Sequence, residues 1–447
     1  MRIFKIKQTQ AIVIVFAAII IMGSILLNLP VSSKDGQSIG FINALFTATS
    51  AVCVTGLVVV DTYTHWTVFG QIVILLLIQI GGLGFMTLAT LFSLALGRRI
   101  SFKERLLIAE SLNQFSPQGM VKLIKDIMLG TLIFEGLGAI ILSIRFAGQF
   151  GIRNGIFKGI FHSVSAFCNA GFDLMGEKGQ FSSLTAYAED PVVSLTVITL
   201  VIIGGLGFAV WEDVYKTRNF SELRLHTKLV LTVTSILLIS GFIFFLTMEY
   251  SNVKTLQPLS FKGKILASMF QSVTPRTAGF NTLPTGDLTN ASKLMTMVLM
   301  FIGGSPGSTA GGIKTSTAGV LLFSVISVLR GCNDVNMFRK RLETEVVFRA
   351  MAIVILSLIV IIGTTIVLSI SGQAALLEYL FESISAFGTV GLSLGVTTTL
   401  GSVGKAALII TMFLGRVGVL TMGMAITVRM QKSEVKLKYP EAKVLVG

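Results

Sequence analysis

Four short stretches of this chain end alike: Val54-Thr55-Gly56-Leu57, Asn169-Ala170-Gly171-Phe172, Thr277-Ala278-Gly279-Phe280 and Thr389-Val390-Gly391-Leu392. Their glycines lie 115, 108 and 112 residues apart, so each marks one unit of a repeat of nearly constant length. A second motif keeps step with the first. Ile80-Gly81-Gly82-Leu83-Gly84-Phe85 recurs as Ile203-Gly204-Gly205-Leu206-Gly207-Phe208, and is echoed by Ile302-Gly303-Gly304-Ser305-Pro306-Gly307 and Leu414-Gly415-Arg416-Val417-Gly418-Val419. The first glycine of this motif follows the loop glycine by 25, 33, 24 and 24 residues. Two motifs in constant order through four units define an internal repeat, and that limits the architectures open to the chain.

The medium is set by composition. Of the 447 residues, 53% are apolar and 13% charged, the balance of a membrane protein rather than a soluble domain. A helix needs about 20 apolar residues to cross the hydrocarbon layer. Stretches 11–29, 68–96, 127–147, 192–211, 229–248, 350–370 and 406–428 meet that need, and an eighth, 293–329, is interrupted in its middle. The N-terminal stretch follows basic residues (Arg2, Lys5, Lys7) as a signal peptide does. It is too long for a cleavable core and Leu29-Pro30 offers no cleavage pattern, so it reads as a retained first span.

The net charge of +14 is unevenly distributed. With these spans, 23 of the 36 Lys and Arg fall on one side and 11 in the loops opposite, while Lys314 and Arg416 lie within spans. The positive-inside rule makes the rich side cytoplasmic and places both termini there. A basic inner face is ordinary for a membrane protein, so the charge does not argue for nucleic acid. Cys53, Cys168 and Cys332 are too scattered for a disulfide framework or a metal site, and the three histidines have no paired ligand spacing. Cys53 and Cys168 precede equivalent loop positions and read as small packing residues.

Between the spans of each repeat lies a segment too short to cross, such as 40–52 or 374–387. A dozen helical residues rise only about 18 Å, so the chain must enter, stop and return. Irregular backbone at that depth survives only if it is buried in protein or lines water. The expected fold is therefore an all-α membrane protein of four parallel M1–pore loop–M2 repeats around one ion pore, with eight transmembrane helices and re-entrant pore helices. Its units are residues 1–119, 120–222, 223–341 and 342–447, the third with an interrupted second span and the fourth with a cytoplasmic tail. The glycines let successive carbonyls face one axis, where they replace the water of a monovalent cation. The expected filter is Val54, Thr55, Gly56, Asn169, Ala170, Gly171, Thr277, Ala278, Gly279, Thr389, Val390 and Gly391. Because the four loops differ, they promise weaker discrimination than four identical strands. For the second motif, close helix packing through small residues is the plain reading in repeats one and two.

The broken span runs Gly303, Gly304, Ser305, Pro306, Gly307, Ser308, Thr309, Ala310, Gly311, Gly312, Ile313, Lys314, Thr315 and on to Gly319. Pro306 and this density of glycine argue against a continuous helix. Gly307 to Thr315 nearly spells a phosphate-binding loop, but Ile313 separates Gly312 from Lys314 and no strand–loop–helix unit surrounds it. That leaves a passive kink or a mobile plug under the filter in which Lys314 repels cations. The plug is the preferred reading. Arg416 is an intramembrane charge and functional by default; it either latches the plug through loop carbonyls or serves packing. A coupled symporter is the rival class and wants an acid within a span, for which Glu135 is the nearest candidate. An enzyme lacks any nucleophile–base or metal constellation in this sequence.

The motifs at Gly56, Gly171, Gly279 and Gly391 resemble those of the potassium-translocating subunits of the Trk, Ktr and HKT superfamily, and the resemblance covers essentially the whole chain. Its length is similar to the bacterial KtrB-type branch, and Gly56, where some sodium-favouring plant relatives carry serine, resembles the potassium-permeable pattern. The resemblance implies a homodimer in the bacterial inner membrane, each subunit with its own K⁺ path held by backbone carbonyls and with Na⁺ possible as a stimulant. It implies a gating loop at 303–315 faced by Arg416, and a cytosolic KtrA-type ring of RCK domains that binds the regulatory nucleotide. This chain itself carries no cofactor motif.

Overall fold

The computed structural model describes residues 8–84, 120–332 and 334–427. Nearly all regular structure there is helical. Grouped by the four units expected from the sequence, the first contains α1 (Gln8–Leu27), a short α2 (Phe41–Val52) and α3 (Val68–Leu83). The second contains α4 (Met120–Phe150), α5 (Ile152–Phe167), α6 (Pro191–Leu206) and α7 (Phe208–Thr217). The third contains α8 (Leu225–Met248), α9 (Phe261–Val273), α10 (Asn290–Phe301) and α11 (Thr315–Leu329). The fourth contains α12 (Thr344–Ser371), α13 (Leu376–Gly388), α14 (Ser402–Val417) and α15 (Val419–Thr427). A two-residue hairpin pairs Asn336–Met337 with Lys340–Arg341.

Among the described residues four helices, α1, α4, α8 and α12, are long and apolar enough to cross a membrane alone. Each packs against the short helix that follows it. The short helices are amphipathic in a particular way. Their C-terminal halves are buried: Phe46–Val52 in α2, Ser165–Phe167 in α5, Phe270–Val273 in α9 and Ser385–Gly388 in α13. Outward-facing Ile140, Ile144, Ile359 and Ile366 on the long helices are exposed, as side chains facing lipid are. Glu249, just beyond α8, is fully buried and joins two elements of the third unit. It accepts from Thr289 N at 2.9 Å, at the start of α10, and from Asn252 and Thr255 at 2.6 and 2.7 Å.

Two of the expected continuous spans are interrupted. Stretch 192–211 breaks at Gly207 (φ 97°), where α6 and α7 meet at 94°, and stretch 406–428 breaks at Gly418 (φ 95°). In the first unit α3 likewise stops at Gly84 (φ 78°), and the remainder of stretch 68–96 lies outside the described residues. All three are the last glycine of the second motif. An L side chain resists this left-handed backbone, whereas glycine adopts it freely. The motif therefore packs a helix with its first glycine and ends it with its last.

Candidate functional site: a ring of four glycine loops

Each short helix delivers its loop in the same way. The N–H of the loop's middle residue turns back to the helix end: Thr55 to Ser50 O (2.8 Å), Ala170 to Ser165 O (2.7 Å) and Val390 to Ser385 O (2.9 Å), with Ala278 reaching Thr274 O (2.9 Å) in the third unit. The residues flanking it take positive φ. Val54, Asn169, Thr277 and Thr389 lie between 50° and 67°, and Gly56, Gly171, Gly279 and Gly391 between 71° and 90°. With donors committed inward and φ alternating in sign, the loop carbonyls are left to face away from the helix.

The loops meet in cyclic order. A Cβ on Gly56 would lie 2.5 Å from the carbonyl oxygen of Ala170, and one on Gly171 2.8 Å from that of Ala278. On Gly279 it would collide with the carbonyl of Val390, and on Gly391 with that of Thr55. Loop one touches two, two touches three, three touches four, and four returns to one. The side chains of Asn169 and Thr277 add a bond between loops two and three at 3.2 Å. All four glycines line one cavity of about 450 Å³, which Asp61 and Asp173 also border.

The second motif braces the ring from behind. The first glycine of three units lies against the carbonyl four residues before the loop glycine: Gly81 on Val52, Gly204 on Phe167 and Gly415 on Phe387. A side chain there would push the short helix, and its loop, toward the axis. In the third unit Gly303 instead meets Gly311 of the broken segment.

That segment is folded back beneath the ring. Gly303 N donates to Ile313 O at 2.9 Å and Thr315 N to Gly304 O at 3.0 Å, closing its base. Its outer part is pinned to the broken end of α6. Ser305 N donates to Gly205 O (3.0 Å), Thr309 N to Gly204 O (3.2 Å) and Phe208 N to Gly307 O (2.9 Å). Thr309 Oγ1 reaches Phe167 O at 3.1 Å, while Gly311 lies against Thr389 of loop four and Gly312 against Gly388 at the end of α13. Lys314 turns its ammonium onto Ala310 O at 2.7 Å, inside the segment. Arg416 bridges across, donating to Thr309 O on the segment and to Gly81 O and Gly82 O at the end of α3. Pro306, Ser308 and Ala310 complete the turn, with Ser308 Oγ donating to Ser305 O at 2.7 Å.

The ring and the segment thus gather every residue singled out from the sequence for filter and gate. Sequence reasoning missed three buried polar residues beside them. His162 on α5 accepts from Leu174 N at 3.3 Å, and Glu382 on α13 accepts from Leu394 N at 3.2 Å and from Thr397 Oγ1 at 2.7 Å. Both sit nine residues before a loop glycine and hold the backbone three residues after it; that spacing was the signal available. Arg276, counted from the sequence with the outer-loop charges, is buried directly before Thr277. Glu135 is buried as well, with Gln79 Nε2 at 3.2 Å from both its oxygens and Cys168 Sγ at 3.8 Å. Among the described residues no cluster of His, Cys, Asp or Glu could hold a metal ion.

A family profile of cation transport proteins, TrkH, matches residues 4–437. The chain belongs to this family. Its place within the Trk/Ktr superfamily is with the KtrB-type proteins. The Ktr system potassium uptake protein B of Bacillus subtilis is 44% identical over 98% of this chain and 96% of its own length. The potassium/sodium uptake protein NtpJ of Enterococcus hirae is 40% identical over 99% and 98%. The crystal structure of the potassium transporter TrkH from Vibrio parahaemolyticus matches with a TM-score of 0.74 at 17% identity, over 97% of this chain and 88% of that one. That likeness gives the fold. The chain is thus a mostly helical, multi-pass membrane protein with the TrkH fold, and a transporter rather than an enzyme.

Proposed function

We propose that the chain is the membrane subunit of a Ktr-type potassium uptake system, conducting K⁺ passively through a pore formed by one subunit. The observation that carries this reading is the closed ring in which each loop glycine abuts the carbonyl of the next loop. Backbone carbonyls around one axis replace the hydration shell of a monovalent cation and need no side-chain ligand. The filter comprises the twelve loop residues from Val54 to Gly391, and the four units 1–119, 120–222, 223–341 and 342–447 run parallel as M1–pore loop–M2 repeats, eight spans in all. The segment 303–315 is the gate, Arg416 its latch, and Lys314 adds positive charge under the filter.

The assembly follows from the same reading. The protein is a homodimer of the bacterial inner membrane with both termini in the cytoplasm. A KtrA-type ring of RCK domains docks on the basic inner face and supplies the nucleotide response. No cofactor is required on this chain, and Na⁺ acts as a stimulant. The test is ion flux into liposomes that contain the purified protein alone, under an imposed voltage. A passive pore reverses its K⁺ flux when the voltage is reversed and needs no gradient of Na⁺ or H⁺.

A Na⁺- or H⁺-coupled symporter is the second reading. It is favoured by buried Glu135 and by the name of the Enterococcus relative, a potassium/sodium uptake protein. Stoichiometric movement of a second ion in the same liposomes would decide for it.

A further inference from the structure

Arg276 stands in an unusual position. Its side chain is buried between α6, α8 and the third loop, immediately before Thr277. None of the ion pairs among the described residues includes it, and its Nε has no hydrogen-bond partner. The guanidinium reaches two acceptors. One is the carbonyl of Gly303 at 3.3 Å; the other, weaker, is Thr234 Oγ1 at 3.5 Å on α8. On its remaining side is a cavity of about 10 Å³ bordered by Gly205, Leu206 and Gly304.

A buried cation without a carboxylate is costly, and a neutral side chain of similar volume would fill this place at less cost. What the charge provides here is a charge-assisted hydrogen bond, at 3.3 Å, to one main-chain carbonyl. That carbonyl belongs to the first residue of the broken segment. Gly303 is also where α10 has just ended and where the segment's base closes, its own N–H being bound to Ile313 O. The two arginines therefore hold the segment at different points, Arg416 at its middle and Arg276 at its root. They differ in what lies behind them. Arg416 is backed by the end of α3, whereas Arg276 continues directly into loop three.

We infer that Arg276 is a positioning residue for gating: it fixes the root of the 303–315 segment at Gly303 and ties that root to the third loop of the ring. The inference rests on the gating role proposed above for the segment. With the root fixed, release of Arg416 lets the middle swing while the root stays. With the root loose, the whole segment shifts and no longer seals beneath the loops.

The test is K⁺ flux in liposomes without any regulatory subunit, for the full-length chain and for a deletion of 304–312, each with and without Arg276→Gln. In the full-length chain Arg276→Gln is expected to raise basal flux about tenfold, the scale set by losing one charge-assisted hydrogen bond. In the deletion it is expected to change flux less than about twofold, because the segment it positions is gone. Arg276→Lys keeps the charge but not the planar fork and is expected to fall between. It also serves as the test variant should the glutamine protein fail to fold. Equal changes in both backgrounds, or none in either, overturn the inference while leaving the gating role intact. A deletion that itself fails to raise flux overturns the gating role and the inference with it.

Discussion

His162 and Glu382 do the same work at equivalent places on α5 and α13. Each stands nine residues before its loop glycine and accepts the main-chain N–H of the residue three beyond it, Leu174 and Leu394. His162 also lies 2.7 Å from Lys158 O through Nδ1, so the neutral ring donates there and accepts at Nε2. A histidine and a glutamate thus provide one function: a fixed acceptor that holds the outer limb of the loop against its own helix. The other two units hold Thr47 and Phe270 at this place and make no such bond.

The first prediction follows from that pairing. Glu382→Ala leaves buried donors on Leu394 and Thr397 without acceptors, at a cost of about 1–3 kcal/mol. Loop four then loses its outer hold, and the preference for K⁺ over Na⁺ is expected to fall several-fold. His162→Ala is expected to do the same through loop two. Competitive uptake of the two ions measures it. Unchanged preference in both folded variants would remove these residues from the filter's support.

A second prediction concerns the ring itself. Serine at Gly56 or Gly279 places a Cβ against the carbonyl of Ala170 or Val390, where the backbone also has positive φ. The loop must give way, so K⁺ preference is expected to drop in either variant. Competitive K⁺ and Na⁺ uptake is again the measurement, and tolerance of both serines contradicts the filter.

The proposed gate gives a third. Deletion within Gly304–Gly312 is expected to raise flux and weaken its dependence on a cytosolic regulator, with selectivity retained because each loop keeps the hydrogen bonds to its own short helix. Arg416→Ala shifts flux in the same direction, since Thr309 O loses the donor that α14 supplies. Flux of both variants in regulator-free liposomes checks it. Loss of transport from a properly folded deletion would mean that the segment builds the path rather than blocking it.

A fourth concerns stability. Burial works against the charge of Glu249, but hydrogen bonds from Ser292, Thr255, Thr289 and Asn252 outweigh it and hold the carboxyl below its ordinary value of 4.5. A depressed folded value means stability that is present above the unfolded one and lost as pH falls through the folded one. Glu249→Gln is therefore expected to cost about 1–3 kcal/mol at neutral pH. The gap to wild type should narrow below about pH 4.5. Thermal unfolding in detergent across this pH range measures both.

The ring was legible in the sequence because its requirement is local: a glycine with positive φ at the end of a short buried helix, written four times. The broken segment was legible because Pro306 and its glycines cannot continue a helix. The breaks at Gly207 and Gly418 were not, because glycine is ordinary inside membrane helices and an apolar run reads through it. Arg276 was lost for another reason. A charge between two apolar runs looks like a loop residue until the third loop folds back to membrane depth. His162 escaped because the histidines were read only for metal-ligand spacing, and Glu382 because a lone acid in a short amphipathic run gives no sign that it will accept from backbone.

The segment beneath the ring completes the broken end of α6, since its Ser305 and Thr309 N–H groups fill the carbonyls of Gly205 and Gly204. If the segment withdraws, those carbonyls, together with Gly307 O and the N–H of Phe208, need new partners, and only water can arrive as quickly. Opening is then a hydration event as well as a movement. Solutes that withdraw water would then oppose opening, and the barrier to opening would carry the cost of hydrating backbone groups that the segment now satisfies.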